Sequence, residues 1–175
     1  EQAALEVLQG GLLVDPRSAF LYARIGDLLR DMDRLEEAQA ALERALELDP
    51  RQPGIYPRLA RLAAARNDFP GRLDWMRRAV ESDPQDHELA TGLAREFYDF
   101  GLAEEGDRWA KLVTALVPDS DFVRSLAVAR AASHEDWPRV MELARPMIEG
   151  QVTQREGVFN LAVGAYSSAA VRLGR

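Results

Sequence analysis

His87 and His134 are the only two imidazoles in the chain, and there is no cysteine. Disulfides, thiolate metal sites and cysteine nucleophiles are therefore excluded. Neither histidine has a second one at metal-ligand spacing, and the neighbouring acids Asp86, Glu88, Glu135 and Asp136 read as helix-start and turn residues. Gly10-Gly11 precede no Lys-Ser or Lys-Thr pair, so no phosphate loop is present, and no serine sits in a glycine-flanked nucleophile elbow. The pairs Glu36-Glu37 and Glu104-Glu105 recur at one register, at the start of predicted helices, where the helix dipole favours negative charge. Trp75 and Trp109 also share a register, and packing is the simpler use of their rings than ligand stacking. The residues point to no catalytic residue, no cofactor-binding residue and no metal site, and the chain is not expected to be an enzyme.

The composition narrows the remaining classes. A net charge of -7 argues against broad contact with nucleic acid or an anionic membrane. The longest uncharged stretch near the end, 157–171, is too short for a membrane span and contains Asn160, Ser167 and Ser168. A soluble protein is expected, cytoplasmic by preference. The 27 alanines and 23 leucines head the helix-propensity scale and predict an all-helical chain. Arginine outnumbers lysine 21 to 1, with Lys111 alone, a bias that suggests a GC-rich bacterial genome. The sequence opens at Glu1 without an initiator Met, and a fragment of a longer protein is expected.

The elements follow from a repeat. Pro16, Pro50, Pro84 and Pro118 are spaced by 34 residues, each after a helical hydrophobic pattern. Proline beyond a helix end stops it, because it has no N–H and restricts its predecessor. These stops give segments 19–52, 53–86, 87–120 and 121–154, with 1–18 as the second half of an earlier unit and 155–175 as the first helix of a truncated one. In 19–52, Leu21, Tyr22, Ile25, Gly26, Leu28 and Leu29 form one amphipathic block. After a polar turn at 31–34, Leu35, Ala38, Leu42, Ala45 and Leu46 form a second. Pro70 and Pro138 occupy first-turn positions of second helices, where a missing N–H costs little. Gly26 and Ala38 should let the paired axes approach closely, and Ala45 should let the next pair dock. The Val128 and Val140 pair and Pro146 predict wider packing and a kink in 121–154, which should fray early, whereas 19–52 should be among the last regions to open.

Tyr22, Ile25, Gly26, Leu29, Ala38, Leu42, Ala45 and Pro50 closely resemble a tetratricopeptide repeat (TPR). Tyr56, Leu59, Ala60, Met76, Ala79 and Pro84 continue the resemblance, as do Leu93, Ala94, Phe97, Gly101, Ala110 and Pro118. The fourth segment keeps Ala127, Ala131, Trp137 and Ala144 but has Val152 in place of the proline. The resemblance implies a right-handed α-solenoid of antiparallel helix pairs, one array over 1–175, whose first helices line a concave groove.

By the same resemblance, groove places hold Phe20, Asp27, Arg30, Arg61, Arg95, Tyr98, Phe122, Phe159 and Tyr166. These residues are expected to bind another protein, as a peptide or helix with acidic groups opposite Arg61 and Arg95 and an apolar anchor near Tyr98 or Phe122. The competing reading is that the two arginines are merely solvated, or paired with Asp27 and Asp99. The family's clamp for C-terminal carboxylates is missing, since its places hold Ala23, Asp27, Arg58, Glu88 and Gly92. Two alternatives to a scaffold stay open. One is a substrate-positioning accessory region of a larger enzyme, such as a glycosyl- or sulfotransferase. The other is self-association through exposed end helices.

Overall fold

The computed structural model describes residues 1–150 and 156–174. The boundary between segments 121–154 and 155–175, with Val152, lies outside the described residues. Among the described residues every regular element is an α-helix. They are α1 (Gln2–Val14), α2 (Ala19–Asp31), α3 (Leu35–Leu48), α4 (Ile55–Ala65), α5 (Phe69–Ser82), α6 (His87–Asp99), α7 (Ala103–Leu116), α8 (Asp121–Ser133), α9 (Trp137–Ile148) and α10 (Glu156–Arg172). The fold is an all-α helical-repeat solenoid. The helices group into two compact units, Glu1–Asp83 and Pro84–Arg175, and each is described by itself.

The 34-residue period is written into the hydrogen bonds. Asp15, Asp49, Asp83 and Val117 end α1, α3, α5 and α7, and each donates its N–H to the carbonyl four residues back, on Gly11, Ala45, Ala79 and Val113. The predicted proline follows each of them directly. Ser18, Asp86 and Ser120 open α2, α6 and α8 by accepting backbone N–H bonds from the first turn. The helix α4 departs from this register, starting only at Ile55 after Pro53 and a left-handed Gly54.

The turn inside each pair repeats just as strictly. Asp33, Asn67, Gly101 and Glu135 all have φ between 56° and 72°. In each turn the next N–H reaches back five residues, as from Arg34 to Leu29 and from Asp136 to Ala131, which closes a Schellman motif. Glycine adopts this conformation freely, and Asp and Asn tolerate it through their short polar side chains. Glu135 has neither advantage. Glu135→Gly is therefore expected to stabilise the 84–175 unit by about 1 kcal/mol, read as a higher urea midpoint at unchanged slope.

Packing within each unit follows the small residues. A Cβ on Gly26 would sit 2.6 Å from Leu42 Cγ, so α2 and α3 meet where glycine permits it. Ala38, Leu42 and Ala45 are fully buried there, in a core shared with Leu5, Ile55 and Leu59. In the second unit Val128, Val140, Ala144 and Met147 are buried together with Ala162 and Ala169 of α10. The helix α9 extends through Pro146 to Ile148. Trp75 stacks on Tyr56 at 6.3 Å between ring centres, and Trp137 carries the Arg172 guanidinium at 5.4 Å. Both rings act in packing.

Candidate functional site

In the 84–175 unit the first helices of successive pairs, α6, α8 and α10, meet along one face. They enclose a cavity of about 520 Å³, lined by Glu88, Thr91, Gly92, Arg95, Phe122 and Ser125, and by Glu156, Gly157, Val158 and Leu161 from α10. Phe122 is half-buried, and the His87 ring meets it edge-on at 4.8 Å. His87 thus supports an aromatic wall of this groove. Arg95 is exposed and has no ion-pair partner among the described residues, so of the competing reading the pairing with Asp99 is not formed and the solvation is. Charged rim and apolar floor are both present.

Tyr98 corrects an expectation. Its ring is 2% exposed, and it is no groove anchor. It lies against Gly106 of α7, where a Cβ would stand 2.6 Å from the ring. Gly106 takes the place that Ala38 holds two repeats earlier, and the missing methyl leaves a slot into which the ring turns. The Tyr98 hydroxyl donates to Asp107 Oδ1 at 2.7 Å, and Arg130 Nε donates to the same oxygen at 2.7 Å. Three helices are thereby tied at one carboxylate. The Arg130 hydrogen bond holds the Asp107 carboxyl below its ordinary range. Burial, then the Asp107 bond and charge, push the Tyr98 phenol far above its own. A raised folded-state value means stability is intact below the ordinary phenol range and is lost as pH climbs through it. Alkaline unfolding of the wild type should therefore be shallower in Tyr98→Phe, and phenolate absorbance should develop together with unfolding.

In the 1–83 unit the expected groove residues form a charge cluster. Asp27 Oδ2 accepts from Arg58 Nε at 2.8 Å, and Arg30 and Arg24 stand 3.5 and 3.7 Å from its oxygens. Arg30 also binds Asp31 at 2.7 Å. Asp27, Arg30 and Arg58 are only 16–18% exposed, so these charges neutralise one another within the chain. Asp27 is paired with Arg58 and not with Arg61. Arg61 is exposed on α4 without an ion-pair partner among the described residues. Phe20 is 57% exposed on α2. On α10, Phe159 is 38% exposed, whereas Tyr166 packs against the core of its unit.

Thr91, Val158 and Leu161 were not singled out from sequence as groove-lining. They face the cavity because α10 returns alongside α8, and their signal was only the helical spacing shared with Phe122. No group of three or more His, Asp or Glu that could hold a metal ion occurs among the described residues. Nor is any described helix long and apolar enough to cross a membrane.

Comparison with known proteins supports the repeat reading. A family model described as tetratricopeptide repeat matches residues 21–52. No curated protein matches the chain in sequence. A chain from the crystal structure of the APC/C hetero-tetramer Cut9-Hcn1 is 13% identical, with 99% of this chain and 34% of that chain covered and a TM-score of 0.71. The crystal structure of MamA is similar at 13% identity, covering 98% and 87% of the two chains, with a TM-score of 0.61. The structure of Naa15/Naa10 bound to HypK-THB is similar at 20% identity, covering 99% and 27%, with a TM-score of 0.56. At such identities the likeness is one of fold. Residues 21–52 thus carry a tetratricopeptide repeat, and the chain shares the helical-repeat fold of these structures.

Proposed function

We propose that the chain is a protein–protein interaction scaffold that receives an extended or helical segment of another protein on the face of its first helices. The observation that carries this reading is the cavity between α6, α8 and α10, which sets unpaired Arg95 beside the half-buried Phe122 ring. A guanidinium free of internal partners holds a carboxylate in a planar fork, and an adjoining aromatic wall takes an apolar anchor. Arg61 offers the same chemistry on its own unit. The reading assigns no catalytic step to the chain.

Peptide display with the whole chain as bait tests the reading. Selected peptides should be enriched in Asp or Glu next to one bulky apolar residue. Binding of a selected peptide should weaken about tenfold in Arg61→Ala combined with Arg95→Ala, as for loss of a hydrogen bond to a charged group, and should become less salt-sensitive. Equal binding by the double variant and the parent would remove the arginines from recognition.

A further inference from the structure

A second cavity in the 84–175 unit lies on a different face, between α7 and α8. It is about 590 Å³ in volume and mostly apolar, walled by Ala110, Ala115, Val123, Leu126 and Ala127. The Tyr98–Asp107–Arg130 cluster forms one end, and Lys111 and Thr114 stand along α7. The 1–83 unit has a cavity at the same repeat register, two periods earlier, between α3 and α4. There Gln39 and Glu43 take the places of Asp107 and Lys111, and Leu59 that of Ala127. That cavity is smaller, about 420 Å³, and the Trp75 indole lines it. The residue at the register of Trp75 in the second unit is Leu143, which does not line the larger cavity. One unit supplies an aromatic ring from within; the other leaves the space open.

Charge defines what could enter. The Asp107 carboxylate is engaged by Tyr98 and Arg130, and the Thr114 hydroxyl donates to the Ala110 carbonyl. Lys111 is exposed with no partner among the described residues, and the Arg130 side chain is 55% exposed. The polar groups with donors to spare at this cavity are therefore cationic: the Lys111 ammonium and the terminal nitrogens of Arg130, whose Nε is bound to Asp107.

We propose that the cavity between α7 and α8 is a docking pocket for an aromatic side chain of a partner protein, with an adjacent carboxylate held by Lys111 and Arg130. This rests on reading the chain as an interaction scaffold, but places a contact away from the α6, α8 and α10 groove. The carboxylate adds the modest attraction of an exposed ion pair, while ring burial against the Val123, Leu126 and Ala127 wall supplies most of the affinity.

The test uses two capped dipeptides, acetyl-Trp-Glu-amide and acetyl-Trp-Gln-amide, titrated into the whole chain with backbone amides followed by NMR. Saturable shifts are expected at 110–115 and 123–130, with the Glu peptide binding about threefold more tightly at low salt. Lys111→Gln should erase most of that difference. Ala115→Phe, at an exposed position that a larger ring does not disrupt, should fill the slot and weaken both peptides at least about tenfold, as loss of most of a buried side chain's burial energy would. No saturable shift at these residues, equal affinity of the two peptides, or indifference to Ala115→Phe would each overturn the proposal. Shifts confined to the α6, α8 and α10 groove would overturn it while leaving the scaffold reading in place.

Discussion

Asp27→Ala is expected to destabilise the 1–83 unit by about 3 kcal/mol, in the range for breaking a largely buried ion pair. The substitution removes the one carboxylate to which Arg24, Arg30 and Arg58 all turn. Arg30 and Arg58 would then face each other with less than a fifth of their side-chain surface in water. Arg58 also gives a hydrogen bond to the Pro53 carbonyl, so it is not free to swing into solvent without loss. The double variant Asp27→Ala with Arg58→Ala should cost clearly less than the sum of the two single changes, because the second cation leaves with the first anion. Hydrogen exchange of α2 and α4 amides reads the effect in that unit directly. Additive costs would show that the cluster is a set of independent surface pairs.

Gly106→Ala should cost the 84–175 unit about 2 kcal/mol, although alanine is by far the better helix former. The new methyl would stand 2.6 and 2.7 Å from two atoms of the Tyr98 ring. A phenol held at its hydroxyl by Asp107 cannot yield as a flexible side chain would, so overpacking exceeds the gain in helix propensity. Gly106→Ala in a Tyr98→Leu background should lose most of this penalty, since the obstructing ring is gone. Thermal unfolding of the four proteins completes the cycle. A stabilising Gly106→Ala in the wild-type background would mean that the ring is mobile.

The fold was legible in the sequence to the degree that it depends on backbone punctuation. Prolines at one register mark the helix ends, and the Gly26 and Ala38 pair predicts the close approach that Leu42 fills. The candidate site was legible only in part, because it depends on where long side chains come to rest. Arg95 and Phe122 do line a groove. Tyr98 occupies an equally good groove place by helical counting, yet turns inward because one methyl is absent eight residues later. That slot could have been read from the exchange of Ala38 for Gly106 at one register beside an aromatic residue. The partner of Asp27 is harder to foresee. Asp27 and Arg61 are one 34-residue period apart, which nominates Arg61, but the late start of α4 after Pro53-Gly54 brings Arg58 to the carboxylate instead.

The nearest-neighbour pattern of packed helices also bears on how quickly the chain becomes ordered. Within each unit, no helix packs against one more than two elements away among the described residues. Hardly any loop must therefore be closed over a long sequence distance before native contacts form, and chains of such low contact order fold in microseconds to milliseconds. During synthesis, α2 and α3 have all the partners of their hairpin once Asp49 has left the ribosome, long before α10 exists. Within each unit, order should therefore spread along the nascent polypeptide pair by pair, a later hairpin finding a finished one of the same unit to condense on.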